Sequence, residues 1–206
     1  MQDMRTARFA RGPNRMGNDS NTNPSSEDAR ETPDRIRIFF ALVPEEAVRL
    51  QFLALARDVA RRSRGRAISG EHVHLTLAFL GDVPVSSIAE LRAIGDHLPP
   101  EGAPLDFDTL GAWRASGVAW AAPSVVPKAL VDLHATLHAA LTGAGFAMET
   151  RPFRPHVTLA RRCVQPHPRA ASAPIHWAVR RLSLVGSELR PDGPRHTTIA
   201  EWELTV

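Results

Sequence analysis

Two short stretches of the chain read almost alike: His74-Leu75-Thr76-Leu77-Ala78 and His156-Val157-Thr158-Leu159-Ala160. Side chains alternate between the two faces of a β-strand. In each copy the histidine and the threonine therefore share one face, and the aliphatic side chains share the other. The pattern predicts two strands that each bury an aliphatic face and present one imidazole and one hydroxyl together.

These two strands carry residue types suited to chemistry at phosphorus. Histidine takes up or releases a proton near neutral pH, so one imidazole can act as general base and the other as general acid. Threonine hydroxyls can donate hydrogen bonds to phosphoryl oxygens. One such strand would be unremarkable, but two copies in similar surroundings are hard to attribute to chance. We predict that His74, Thr76, His156 and Thr158 line one groove.

The segments around the two stretches predict a mixed order of strands and helices. Strands are predicted at Arg35–Val43, Val73–Leu80, Leu105–Trp113, Val118–Ala122, Pro155–Cys163, Trp177–Ser187 and Thr197–Leu204. Helices are predicted from Pro44 to about Arg62, at Ser86–Leu98, and along the stripe Leu130, Leu133, Leu137 and Leu141. Strict alternation is absent, so an α+β fold is favoured over a doubly wound parallel sheet. A recurring order of elements suggests a duplicated, two-lobed core.

The length of 206 residues suits one domain or two small lobes. Residues 17–28 contain no apolar side chain, so we predict a disordered tail over 1–34 and a folded domain over 35–206. The single cysteine, Cys163, excludes an internal disulfide and multi-cysteine metal sites. No apolar run reaches the ~18 residues of a membrane span, so no membrane partner is expected.

Charge alone does not identify a partner. The formal net charge is +3, and 24 of the 25 basic residues are arginine. Arginine forms bidentate contacts with phosphate, but a GC-rich genome also enriches this residue. The arginine-rich stretches 61–66 and 151–162 are either solvated surfaces or a track for an RNA backbone.

Histidine pairs elsewhere give weak metal signals. His72 and His74 share a strand face, but no carboxylate of the right parity completes a site. His134 and His138 are four residues apart on a predicted helix, without the glutamate of the zinc-protease pattern. We therefore predict no metal site, and we expect Cys163 to be a small buried residue.

The paired His-x-Thr pattern resembles the signature of the 2H phosphoesterase superfamily. The wider context resembles the RNA 2′,3′-cyclic phosphodiesterases, also called 2′-5′ RNA ligases, and the resemblance covers residues 35–206. The stretches that carry it are Arg37–Leu42, His74–Val83, Gly111–Trp113, Val118–Trp120 and Arg151–Arg161.

The resemblance implies a bilobal, pseudo-symmetric α+β fold, with two antiparallel sheets facing a central groove and helices outside. It implies hydrolysis of RNA 2′,3′-cyclic phosphate ends to 2′-phosphates without a metal or nucleotide cofactor, and a weak reverse 2′-5′ ligation. The expected partner is an RNA end, with tRNA fragments among the candidates. We expect a cytoplasmic protein, and a monomer because one chain completes the groove.

By matching position, His74 and His156 are expected to transfer protons, and Thr76 and Thr158 to hold the phosphate. We expect His156 to activate water and His74 to protonate the departing 3′ oxygen, although the pseudo-symmetry also allows the reverse.

Phe39 and Arg161 match family positions that hold the terminal base. Phe39 could instead pack in the core, because Phe40 is adjacent and only one of the two can face the groove. Strict alternation puts Arg161 on the face opposite His156, so the strand must bulge or end there; otherwise Arg161 is a solvated side chain. The chain also departs from the family at His196, where a tyrosine is common.

Two further hypotheses remain open. The same catalysis could act on a small cyclic nucleotide instead of RNA. Alternatively, the groove could be a non-catalytic module that binds RNA ends, although both histidines and both threonines are present.

Overall fold

A computed structural model describes residues 35–164, 173–191 and 193–206. The tail predicted over residues 1–34 lies outside the described part of the chain. In the described ranges the fold contains nine strands and three α-helices. The strands are β1 (Arg35–Leu42), β2 (Arg66–Ala67), β3 (Leu75–Pro84), β4 (Pro104–Trp113), β5 (Val118–Pro123), β6 (Val157–Arg161), β7 (Ile175–Ala178), β8 (Arg181–Arg190) and β9 (Gly193–Glu203). The helices are α1 (Glu46–Ser63), α2 (Ile88–Asp96) and α3 (Lys128–Gly143).

The strands form two antiparallel halves, which confirms the predicted α+β class. One half has the order β7-β4-β5-β6, and the other has the order β3-β1-β8-β9; β2 pairs with β6. The predicted two sheets are joined in the structure, because β3 and β6 pair through Leu75 and Val157. The halves thus form one sheet, and one residue pair joins them at the point where the two repeated stretches meet.

The helices pack against the aliphatic face of the motif strands. Leu75, Leu77, Val157 and Leu159 all belong to the main hydrophobic core. On α3, the leucines at helical spacing that were predicted to be buried are buried: Leu130, Leu133, Leu137 and Leu141. Because this face of β3 and β6 is covered, the face that carries the histidines and threonines is the one left for a groove.

Aromatic side chains fix α1 on the β7-β4-β5-β6 half. The ring of Phe52 meets that of Phe107 edge-on at a centroid distance of 5.0 Å, and Phe107 stacks on Trp177 at 5.9 Å. All three residues are almost fully buried. Such ring pairs contribute roughly 0.5–1.5 kcal/mol each beyond the area they bury.

Several element boundaries differ from the prediction. The strand predicted to end near Leu80 continues as β3 to Pro84, because Gly81 adopts a φ of +71° at a bulge where β3 still pairs with β1. The strand predicted at Trp177–Ser187 is divided into β7 and β8. β7 pairs with β4, and just after β7 the Val179 N–H still donates a hydrogen bond to the Ala103 carbonyl beside β4. From Arg181 onward the chain continues as β8, which pairs with β1 and β9 instead.

The short strand β2 was not predicted, since two residues carry no periodicity. None of the helices in the described ranges is long and apolar enough to cross a membrane.

Candidate active site

The four motif side chains lie on one face of the sheet. Leu75 and Val157 are opposite each other in an antiparallel pair, and both are fully buried. Residues directly opposite in such a pair point to the same face. The neighbours on either side, His74 with Thr76 and His156 with Thr158, therefore all point to the other face.

That face opens into a groove with a volume of about 930 Å³. All four motif side chains line it, as the sequence predicted, and all four are half-buried. The register places His74 on the side of Thr158, and Thr76 on the side of His156. Each imidazole thus has a hydroxyl of the other strand as its neighbour across the junction.

The His156 ring is held by two contacts. Its Nδ1 atom donates a hydrogen bond to the Arg154 carbonyl oxygen at 2.8 Å, and Trp113 lies edge-on at a centroid distance of 4.6 Å. With Nδ1 protonated, Nε2 is the nitrogen available to a substrate. Burial lowers the pKa of His156, and the hydrogen bond to the Arg154 carbonyl opposes that shift.

His74 lies in a more apolar and more positive environment. Its ring packs 5.0 Å from that of Phe39 and 5.4 Å from that of His196. Burial, followed by the nearby charges of His196 and His72, lowers the pKa of His74 to about 3. His74 is therefore neutral at neutral pH in the free protein.

The sequence pattern did not predict the pairing of His72 with His196. Their Nδ1 atoms lie 3.3 Å apart, so one donates a hydrogen bond and the other accepts it. Glu71 lies 3.7 Å from Nε2 of His72. Burial lowers the pKa of both His72 and His196. In the sequence, only the unusual His72-x-His74 spacing and the histidine at position 196 drew attention to these residues.

In the described ranges, no three His, Cys, Asp or Glu residues form a group that could hold a metal ion. Cys163 is buried, as predicted, beside the Ser63 hydroxyl at 3.1 Å.

Arg161 lines the groove in spite of its parity. Along β6, Thr158 pairs with Trp120 and Ala160 pairs with Ala119, so Leu159 is an extra residue at a bulge. The bulge resets the alternation, and β6 ends at Arg161. Strict alternation would keep Arg161 out of the groove unless the strand bulged or ended there, and the structure has both a bulge and a strand end.

Phe39 is buried, which agrees with the alternative of core packing that the sequence left open beside base binding. Only 4% of Phe39 is exposed, and its ring packs against His74 and also against His196 at 5.1 Å. The Phe39 ring is therefore not exposed for stacking on a base, and it packs against the rings of the two histidines instead. Phe40 points to the main core, where it stacks near Trp202 at 5.9 Å.

Positive charge dominates the groove wall. One acidic side chain, Glu71, is among the lining residues. The basic ones are Arg66, Arg161, Arg162, Arg190 and Arg195. The last two come from the hairpin of β8 and β9 and were not singled out by the sequence pattern, because they are distant from both motifs along the chain. The groove can hold an anion between two proton-transfer groups.

Known proteins share this architecture. A family model described as the 2′-5′ RNA ligase superfamily matches residues 44–190. The RNA 2′,3′-cyclic phosphodiesterase of Escherichia coli (strain K12) is 29% identical over 174 residues, which is 82% of this chain and 97% of that protein. The protein of the same name from Thermus thermophilus is 30% identical over 181 residues, covering 82% and 90% of the two chains.

Solved structures agree. The crystal structure of Escherichia coli LigT complexed with 3′-AMP has a TM-score of 0.76 and 28% identity, and the match covers 84% of this chain and 99% of that one. A crystal structure described as a phosphoesterase also has a TM-score of 0.76. The family match spans more than half of the sequence and both repeated stretches, and on that basis the chain belongs to the 2′-5′ RNA ligase superfamily.

Proposed function

We propose that this chain hydrolyses RNA 2′,3′-cyclic phosphate ends to 2′-phosphates by acid–base catalysis with His74 and His156. The observation that carries the proposal is the Leu75–Val157 pair, because it turns both His-x-Thr pairs toward one groove. Relatives that match most of the chain are named RNA 2′,3′-cyclic phosphodiesterase, and a similar structure contains 3′-AMP.

The reaction is a displacement at phosphorus. The Thr76 and Thr158 hydroxyls donate hydrogen bonds to the phosphoryl oxygens, and the Arg161 guanidinium, which lines the groove, stacks on the terminal base. The base takes a proton from water as the water oxygen bonds to phosphorus. The bond from phosphorus to the 3′ oxygen breaks, the acid gives that oxygen a proton, and a 2′-phosphate remains. Both proton transfers come from side chains, so we propose a mechanism without a metal ion.

Electrostatics favours His74 as the base and His156 as the acid, the reverse of the sequence-based expectation. The base must start neutral and the acid must start protonated. Every neighbouring charge around His74 lowers its pKa further, to about 3. His156 has the Arg154 carbonyl, which stabilises its protonated form. When His74 and His156 hold one proton between them, the state with that proton on His156 is therefore favoured.

The same displacement can also proceed with an alcohol as the nucleophile. If the 5′-hydroxyl of a second RNA replaces water as the nucleophile, the product is a 2′-5′ phosphodiester. Water is far more abundant than RNA ends, so we propose hydrolysis as the main reaction and ligation as a weak one.

RNA is favoured over a small cyclic nucleotide by the placement of the arginines. A mononucleotide offers one phosphate, whereas arginines lie on both sides of the motif residues, with Arg66 and Arg161 in the groove and Arg154 beside His156. Because these residues come from one chain, we also propose that the monomer is active, which gel filtration of the active fraction would test.

The test uses an RNA oligonucleotide that ends in a 2′,3′-cyclic phosphate, with a chelator present. Wild type is expected to form the 2′-phosphate, and His74→Ala and His156→Ala are each expected to lose roughly 10²–10⁴-fold in rate. His97→Ala is the matched control, because His97 is exposed at the end of α2. A cyclic mononucleotide tested in parallel separates the two enzyme hypotheses. Binding of the RNA end without turnover would favour the non-catalytic module.

A further inference from the structure

A second cavity, of about 640 Å³, adjoins the groove. The two cavities share Thr76, Trp113 and His156, so the second begins where the phosphate is proposed to bind. His74 and Thr158 line only the first. The further lining of the second is largely apolar or aromatic and includes Phe79, His134, His138, Met148 and Phe153.

Ring systems give this cavity aromatic surface beside the active groove. The rings of His134 and Phe153 stack in parallel, with centroids 4.0 Å apart and an angle of 12° between their planes. Phe79 on β3 is 45% exposed, although it is a large apolar residue beside the active groove. Nucleobases stack on such rings regardless of sequence, since every base has a π-face.

Arginines accompany the rings. Arg151 and Arg154 line the cavity, and both are exposed. Arg151 also pairs with Glu149 at 2.8 Å. Arg154 lies two residues before His156 and holds it through its carbonyl, so its side chain starts close to the reacting phosphate. Guanidinium groups at this point can pair with a phosphodiester.

The shape of ribose connects the two cavities. The cyclic phosphate bridges C2′ and C3′, the base leaves from C1′ beside C2′, and the 5′ chain leaves from C4′ beside C3′. The base and the preceding nucleotide therefore leave from opposite sides of the phosphate. If Arg161 and the basic groove take the terminal base, the 5′ chain points toward His156 and the second cavity. The 3′ oxygen then lies on the side of the proposed acid.

We infer that the second cavity binds the nucleotide that precedes the cyclic end in the same RNA strand, with its base on Phe79 and the His134–Phe153 pair and its phosphate near Arg154. This inference rests on the proposed function. It makes the enzyme selective for RNA of two or more nucleotides over cyclic mononucleotides, and it gives His134, noted in the sequence only as half of a histidine pair, a role in substrate binding.

The test compares kcat/KM for three substrates: a 2′,3′-cyclic mononucleotide, a dinucleotide with the same cyclic end, and that dinucleotide without its 5′ base. Wild type is expected to favour the full dinucleotide over the mononucleotide by about tenfold or more, which is the usual effect of one stacked base. Most of this advantage is expected to disappear without the 5′ base and in Phe79→Ala. Leu50→Ala, on the exposed side of α1, is the matched control and keeps the advantage.

Phe153 packs on the core, so Phe153→Leu is the second variant, and it too is expected to lower the ratio. Equal kcat/KM for mononucleotide and dinucleotide in wild type would overturn the inference while leaving the proposed function intact. An unchanged ratio in Phe79→Ala together with weaker 2′-5′ joining would overturn it in favour of an acceptor strand in this cavity. If no substrate is opened, the proposed function fails as well.

Discussion

The Nδ1 atoms of His72 and His196 lie 3.3 Å apart, and the ring of His196 lies 5.4 Å from that of His74. The rings of His72, His74 and His196 thus lie close together, and a positive charge on one of them lowers the pKa of the others. After burial, His196 is the largest influence that lowers the pKa of His74. Burial and, after it, this histidine pair therefore keep the proposed base neutral.

Replacing His196 is expected to move the pH profile. In His196→Gln a neighbouring group that can carry a positive charge is lost, so the pKa of His74 should rise above about 3, while burial still keeps it below the ordinary value of 6.5. His74 must be neutral to act as the base, so the acid limb of the kcat/KM profile should move to higher pH. His72→Gln should move it in the same direction but less, because His72 has the smaller influence.

Steady-state assays from about pH 2.5 to pH 8, a range that includes the wild-type value of about 3, would measure this shift. His97→Gln, on the exposed end of α2, is the control and should leave the limb in place. If the acid limb of the kcat/KM profile lies at the same pH in His196→Gln as in wild type, or at a lower pH, this account of His74 is contradicted.

We expect the protein to become less stable as the pH falls, because His74 takes up a proton more readily in the unfolded state. The unfolded chain binds a proton on His74 near pH 6.5, whereas the folded chain binds it only near pH 3. Between these values the unfolded state holds more protons, so the free energy of unfolding decreases as the pH falls. The slope from His74 alone is at most about 1.4 kcal/mol per pH unit.

Urea unfolding at several pH values between about 5 and 7 would isolate this effect, because most carboxylates stay charged there. His74→Gln cannot take up the proton and should show a shallower slope than wild type. Identical slopes for the two proteins would mean that His74 titrates normally in the folded state.

The leaving group can identify the acid. A p-nitrophenyl ester of a nucleoside phosphate releases a phenolate that needs no proton. His156→Ala should therefore lose far less rate on this ester than on cyclic phosphate RNA. His74→Ala should lose activity on both substrates, because the water must still be deprotonated. The opposite result, with His74→Ala rescued, would restore the assignment first expected from the sequence.

Local patterns predicted most of the elements that hold the site. Alternation placed His74 with Thr76 and His156 with Thr158, and helical spacing predicted the buried stripe of α3. Both patterns depend on neighbours within a few residues, which is where sequence is most informative.

What the sequence could not predict depends on distant contacts. His72 and His196 are 124 positions apart, and nothing local brings them together. Phe39 is buried by contacts that are distant in the sequence: it packs with Val185 of the neighbouring strand β8 and with the rings of His74 and His196. Arg161 reaches the groove because Leu159 is an extra residue, and only the pairing of β6 with β5 reveals the bulge.

Binding of RNA should depend on salt through the groove arginines. Arg66 and Arg161 are opposite each other in the pairing of β2 with β6. Like charges opposite each other destabilise a sheet, so their presence on a groove wall favours an anionic ligand. Each phosphate contact with a single strand contributes a slope of about −0.7 to log K against log salt.

Removing arginines one at a time should reduce that slope. Arg66→Ala, in the groove that holds the cyclic phosphate, and Arg154→Ala, in the second cavity beside the preceding phosphate, are each expected to weaken RNA binding at low salt and to lower the slope by about 0.7. Fluorescence anisotropy with a labelled oligonucleotide on the His74→Ala background would measure both quantities without turnover. Arg57→Ala, on the exposed face of α1 and outside the groove, should match its parent. If Arg66→Ala and Arg154→Ala also match the parent, these arginines hold neither the cyclic phosphate nor the preceding phosphate, which would contradict this account.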